Sequence, residues 1–361
     1  PPKPVWVHID FKGSPPEVAY LLSLFHQLRA WGTTGLLLEW EDMLPFSAPL
    51  DVVSHTHAYT REEVRTILAA AATAKLEAVP LVQTFGHMEF VLKHRVFAGV
   101  REAPENYMDL CPLHPDAVPF VGMLVDQVLA LHPGTKYLHV GCDEVFGIAT
   151  CSKCAHKDAT AGRQALFVDH VLAVCRLVAS RGVRPLIWHD MLESYSVASM
   201  VELATLADVV VWNYGPTASE SVPSTLWDRL RAAGFSVWGA SAYKGASNPS
   251  AVWVPLSMHI SNHVSWASRA KMTPLKGMIL TGWSRFNHTA ALCEVLPAAI
   301  PSLALGLSVL RSGGMTASML DSVMGSFGLA TMPLSPSSSN LLDIATPSFP
   351  GGEAFAALAA L

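Results

Sequence analysis

The chain has 361 residues, of which 51% are hydrophobic and only 15% charged, with a formal net charge of -5 and no long run of one sign. That length suits one α/β barrel of about 250 residues with additions, the charge leaves no electrostatic footprint for nucleic acid or an anionic membrane surface, and no apolar stretch approaches the ~18–20 residues of a membrane span. Six cysteines in a chain this long do not make a disulfide framework, so a reducing compartment is expected, the cytoplasm first and the nucleus as well.

Short β-rich runs alternate with longer apolar stretches at helical spacing. The strands expected are 5–10, 35–40, 78–83, 136–141, 184–188, 209–213, 236–240 and 277–281. Between and after them, helices are expected at 18–30, 61–75, 118–131, 164–180, 225–233, 255–270 and 290–310. Repeated βα units imply a parallel sheet, and eight of this length imply a closed (β/α)8 TIM barrel. The competing doubly wound sheet wants a glycine-rich phosphate turn after its first strand, and Asp10-Phe11-Lys12-Gly13 is not one. Beyond about residue 315 the composition turns to Ser and Pro, at 332–340 and again at 347–352. The division expected is therefore a catalytic barrel over 1–315 and a poorly ordered tail or linker over 316–361.

In such a barrel, chemistry gathers at the C-terminal ends of the strands. Those ends carry Asp10 and Lys12; Glu39, Trp40, Glu41 and Asp42; Phe85-Gly86-His87; Asp143-Glu144; Trp188-His189-Asp190; Trp212-Asn213-Tyr214; Ser241-Ala242-Tyr243; and Gly282-Trp283. A core would not place so many polar groups at equivalent positions. A sugar site would, since sugar rings stack on aromatic faces while carboxylates and amides bind hydroxyls.

The most informative segment is His139-Val140-Gly141-Cys142-Asp143-Glu144. Strand alternation puts His139, Gly141 and Asp143 on one face, with Glu144 opposite unless the strand ends there. Two adjacent carboxylates at a strand mouth repel, so one tends to hold its proton near neutral pH. A proton donor beside an anion is what cleavage of a glycosidic bond requires.

This segment resembles the His-x-Gly-Gly-Asp-Glu signature of family 20 glycoside hydrolases, the β-N-acetylhexosaminidases. Residues 81–90, Leu-Val-Gln-Thr-Phe-Gly-His-Met-Glu-Phe, and residues 5–13 are similar to the hexosaminidase D branch. Cys142 stands where most of the family has Gly, and Lys12 lies near the family's usual sugar-binding Arg. The resemblance implies a retaining hydrolase of terminal N-acetylhexosaminides, GalNAc or GlcNAc, in which the substrate's own 2-acetamido oxygen is the nucleophile. It implies Glu144 as general acid/base and Asp143 as partner of the acetamido N–H. It also implies Trp188, Trp212 and Trp283 as the acetamide pocket, Tyr243 as donor to the acetamido oxygen, and Asp10, Glu39 and His87 at the pocket floor and sugar hydroxyls. The branch implies a leaning to galactosamine-type substrates. Barrels of this family often pair, so a homodimer is an expectation too. No cofactor and no metal are expected, and the partner is a carbohydrate substrate.

Three rival readings are open at this point. A lectin-like barrel would keep the pocket without catalysis, although losing one of Asp143 and Glu144 is the simplest route to that state, and both are present. His55-Thr56-His57 has the spacing of barrel metallohydrolases, but it precedes a helix instead of ending the first strand. His87-Met88-Glu89 with Cys151-Ser152-Lys153-Cys154 has part of a zinc deaminase pattern. Its Cys-x-x-Cys supplies only two of four structural ligands, with His156 the nearest extra candidate.

Overall fold

The computed structural model describes residues 3–328 and 348–359. Among these residues ten strands run β1 (Val5–Asp10), β2 (Gly35–Glu39), β3 (Glu77–Leu81), β4 (Arg101–Ala103), β5 (Asn106–Leu110), β6 (Tyr137–His139), β7 (Arg184–Trp188), β8 (Asp208–Trp212), β9 (Val237–Lys244) and β10 (Met278–Gly282). Eight of them close a parallel barrel in the order β1-β10-β9-β8-β7-β6-β3-β2, while β4 and β5 form an antiparallel hairpin inserted between β3 and β6. Each barrel strand starts within one residue of its expected start. The short, mostly apolar strands are legible because both faces of a parallel barrel are buried; every residue of β2, for example, is buried.

Two strand ends differ from expectation in ways that matter. β6 stops at His139, because Gly141, Cys142 and Glu144 all adopt left-handed backbone angles (φ 67°, 67° and 48°). Face alternation therefore does not extend to Asp143. In the other direction, β9 continues four residues beyond its expected end, to Lys244.

Trp6, Trp188 and Trp238 fill the barrel interior together with aliphatic side chains from the other strands. At the N-terminal end, fully buried Asp208 accepts from Trp238 Nε1 (3.1 Å) and pairs with Arg184 (3.0 Å) and Lys276 (2.6 Å). The helix Arg61–Thr73 carries a capping box, Thr60 and Glu63 each satisfying the other's backbone N–H. Unexpected elements within the barrel region include the β4–β5 hairpin, the helices Ser152–Ala161 and Val197–Leu206, and the short helices Glu89–Leu92 and Ala218–Ser221.

Parts of the region set apart as a tail are helical, at Ala317–Ser326 and Gly352–Ala359. Phe355 is fully buried, and the Tyr20 hydroxyl donates to the Pro350 carbonyl (3.1 Å), which seats this segment on the barrel's helical layer. The Ser/Pro-rich run at 332–340 lies outside the described residues. Among the described residues no helix is long and apolar enough to cross a membrane.

Candidate active site

A cavity of about 210 Å³ opens at the C-terminal mouth of the barrel. The loop after β6 brings Asp143 and Glu144 into it, and its shape depends on close packing. A Cβ on Gly141 would overlap the Gln83 amide, and one on Gly86 would overlap the Asp143 backbone carbonyl. His139 stays behind in the barrel interior against Trp188 (ring centroids 4.2 Å apart), its Nδ1 accepting the Gly141 N–H (3.0 Å). Burial pulls the His139 ring down to about 3, so it is neutral and structural.

The two carboxylates are placed differently. The Asp143 side chain is 10% exposed and that of Glu144 37%, so Asp143 lies deep and Glu144 at the mouth. His87 Nε2 reaches both, at 3.6 Å from Asp143 and 3.2 Å from Glu144. Burial opposes a charge on His87, but Asp143 and the hydrogen bond to Glu144 outweigh it and lift the ring to about 10. Burial raises Asp143 to about 7; His87 pulls it back, while Asp190 and Glu144 add to the rise. Asp143 Oδ1 has no hydrogen-bond partner among the described residues. The catalytic loop is anchored by Asp190, whose two oxygens accept from the Glu144 backbone N–H (2.9 Å) and from Trp212 Nε1 (3.1 Å).

Aromatic rings wall the cavity. Trp212 stacks on Tyr214 (5.1 Å, 26°), Trp283 Nε1 donates to the Tyr214 oxygen (3.1 Å), and Trp188 lies 6.0 Å from Trp283. Over the Trp283 ring (5.3 Å to its centroid) Lys12 Nζ sits 2.8 Å from Asp10 and 3.5 Å from both Glu39 and Glu41. Burial works against the Lys12 ammonium, yet these three carboxylates hold its pKa well above the ordinary value. Burial likewise opposes the Glu39 anion, but Lys12 and His8 bring it down to about 2. Arg285, Asn287 and His288 from the loop after β10 complete the rim.

The sequence of this chain matches the family model for the glycosyl hydrolase family 20 catalytic domain over residues 36–238. It is 41% identical over 340 residues to human (Homo sapiens) Hexosaminidase D, covering 90% of this chain and 69% of that protein. The corresponding figures for bovine (Bos taurus) Hexosaminidase D are 38% over 336 residues, 90% and 97%. The chain belongs to glycosyl hydrolase family 20. A solved β-N-acetylhexosaminidase from Bacteroides fragilis has the same fold at 14% identity, with a TM-score of 0.68 over 90% of this chain and 70% of that one. Membership makes this chain a glycoside hydrolase and its substrate a carbohydrate.

Within that family 20 site, Glu39, His87, Asp143, Glu144, Trp188, Trp212 and Trp283 all line the cavity as expected from their strand ends. Two expected residues do not. Tyr243 is fully buried inside the extended β9, where its hydroxyl donates to the His8 carbonyl (3.0 Å) and its ring fills the space over Gly282. Tyr214 occupies the cavity instead. Asp10 lies one layer below the surface, accepting from Lys12 and from the Ser284 N–H (2.8 Å), so Lys12 and not Asp10 meets the cavity. Gln83, Arg285, Asn287 and His288 also line the cavity, beyond the site residues that the sequence points to. The last three follow β10 in a loop whose only signal was its place after Trp283. His55 is exposed in a loop beside His57 (rings 5.4 Å apart), and neither lines the cavity.

Proposed function

We propose that this chain removes terminal β-linked N-acetylhexosamine residues with retention, through participation of the substrate's 2-acetamido group. The observation that carries the reading is the unequal pair on one loop. Asp143 is deep, with an oxygen free to accept, Glu144 faces the mouth, and both are tied to His87 beneath a wall of Trp188, Trp212, Trp283 and Tyr214.

In this scheme the acetamido oxygen forms a bond to the anomeric carbon as the bond to the leaving oxygen breaks. Glu144, placed where the aglycone must exit, gives its proton to that leaving oxygen. Asp143 accepts the acetamido N–H and stabilises the positive charge developing on the group. Tyr214 takes the role expected of Tyr243. Its oxygen accepts from Trp283 and it also bonds the Thr281 hydroxyl, so in this scheme its proton turns from Thr281 to the acetamido oxygen. The aromatic wall keeps the acetamide under the anomeric carbon, an orientation effect worth several kcal/mol of barrier. Water then attacks the anomeric carbon while Glu144 takes its proton, and the acetamide is restored. A reducing cytoplasmic or nuclear setting belongs to the same reading and rests on the six cysteines being free thiols.

The deciding experiment compares nitrophenyl N-acetyl-β-glucosaminide and -galactosaminide with the matching glucoside and galactoside at one pH. Simple glycosides lack the nucleophile and leave Asp143 without its partner, so they are expected to be essentially inert. Comparable turnover of either would overturn acetamido participation, since an enzyme carboxylate nucleophile tolerates a 2-hydroxyl. A thiazoline mimic of the cyclic intermediate should inhibit far better than N-acetylhexosamine itself.

A further inference from the structure

Behind the catalytic loop, the β4–β5 hairpin meets the N-terminus of the helix Ser152–Ala161, and a second set of reactive side chains gathers there. Cys111 Sγ lies 3.7 Å from Cys151 Sγ and 3.7 Å from Cys154 Sγ. With a Glu102 carboxylate oxygen, these ligand atoms all lie within 4.8 Å of one another. We propose that Glu102, Cys111, Cys151 and Cys154 bind one zinc-type divalent cation that fastens the catalytic loop to the hairpin.

The geometry fits the ion. Sulfurs about 2.3 Å from a tetrahedral zinc stand about 3.8 Å apart, close to the two separations seen. A disulfide needs about 2.05 Å, and all three cysteines are free. Three thiolates with one carboxylate suit zinc and not magnesium or calcium, which prefer oxygen.

Glu102 supplies an independent sign. Its Oε1 accepts from the backbone N–H groups of Thr150 (2.8 Å) and Cys151 (3.0 Å), which fixes the carboxylate against the Cys-x-x-Cys turn. Its Oε2 is buried with no hydrogen-bond partner among the described residues. The donors facing this carboxylate are the Cys111 and Cys154 thiols, weak ones for a buried anion, and a cation among the four groups would neutralise it far better. The Cys154 N–H donates to Cys151 Sγ (3.3 Å), the kind of bond a ligating thiolate accepts. His156, the extra ligand considered from the sequence, is exposed and outside the set.

The ion would act at a distance from the chemistry. Cys151 ends the segment that begins at Glu144, and midway along it the Gly147 N–H donates to Asp109 of β5 (3.0 Å). The same hairpin bonds the His87 loop through Met88 N–H to Met108 carbonyl (2.8 Å) and Leu110 N–H to Phe85 carbonyl (3.0 Å). One clamp would therefore steady both loops that meet at Asp143, Glu144 and His87. On binding, the thiols lose their protons to solvent and ligate as thiolates.

The test is metal analysis of the full chain purified under reducing conditions without chelators. About one equivalent of zinc per chain is expected. Stripping should lower the melting temperature, with recovery on adding Zn²⁺ but not Mg²⁺. Cobalt(II) exchange should give sulfur-to-cobalt charge-transfer absorption, and X-ray absorption should show three sulfurs near 2.3 Å and one oxygen. Cys111→Ser and Cys154→Ser should lose most of the metal, whereas Cys293→Ser, outside the cluster, should keep it. If the serine variants fail to fold, the cobalt spectrum of the native protein still decides. Native protein that neither carries zinc nor takes up Zn²⁺ or Co²⁺ against a colorimetric chelator would overturn the proposal. So would a disulfide between any two of the three cysteines in that preparation, or loss of metal in Cys293→Ser.

Discussion

Asp143 and Glu144 are neighbours in sequence, yet their surroundings divide the labour between them, and each gives a separate test. Glu144→Gln keeps the side-chain shape but removes proton donation, so kcat should fall about 10²–10⁴-fold with an alkyl leaving group. The loss should be smaller with nitrophenol, which needs little protonation; an alkyl glycoside cleaved at the native rate would sink the assignment. Asp143, lifted to about 7 by burial, must be ionised to stabilise the intermediate, so kcat/KM should rise with pH through that region. Bound substrate favours the anion, and the corresponding limb in kcat should lie at lower pH. Because the His87 cation pulls Asp143 down, His87→Gln should move the kcat/KM limb upward in pH; a limb that stays put or moves down would contradict the pairing. Tyr214→Phe should lower kcat with little change in stability. Tyr243→Phe should do the reverse, losing roughly 1 kcal/mol as the buried His8 carbonyl goes unpaired, measured by urea unfolding. At this scale the sequence yielded seven cavity residues from their places at strand ends. It misplaced Tyr243 because two tyrosines follow strands β8 and β9, and only the true length of β9 tells which one is inside the strand.

The elements that were legible are those whose residues alone dictate them. Barrel strands such as Val209, Val210 and Val211 in β8 are apolar on both faces, and the long helices between them repeat at the helical period. The β4–β5 hairpin was invisible because Arg101–Ala103 and Asn106–Leu110 mix charge with little alternation and owe their place to the loops they bond. The helix Val197–Leu206 did carry a signal, Ser196, whose hydroxyl accepts from the Ser199 N–H (3.2 Å). Cys111 and Glu102 could not be joined to Cys151 and Cys154 from spacing, since some forty residues and a strand of the barrel intervene. Where β7 hands over to its loop, Asp190 holds both the Glu144 backbone and Trp212. An amide at that position has one oxygen for two donors and would turn its NH₂ toward the other. Asp190→Asn is therefore expected to shift the catalytic loop and cost up to about 10²-fold in kcat with a small change in melting temperature. Steady-state kinetics beside thermal unfolding checks this, and unchanged kcat would show that the anchor is dispensable.

The molecule as a whole separates chemistry at one end of the barrel from cohesion at the other. Asp208, far below the cavity, gathers Arg184, Lys276 and the Trp238 indole where β7, β8 and β9 begin. Asp208→Ala would leave those donors facing one another; with both cations partly exposed and able to rehydrate, about 2–4 kcal/mol of stability should be lost. Activity measured well below the melting temperature should be unaffected, and a drop in kcat there would show coupling between the two ends. The seam of the barrel carries a different consequence. Ser284 donates twice to Asp10, through its N–H and its hydroxyl, across 274 residues of sequence. A ribosome adding about 5–20 residues per second needs roughly 15–55 s to deliver the second partner after the first. Throughout that interval the mostly apolar strand Val5–Asp10 has one edge bare, open to pairing with another nascent chain. Whatever shields that edge during translation is thus expected to raise the yield of folded chains while leaving the melting temperature of the finished barrel unchanged.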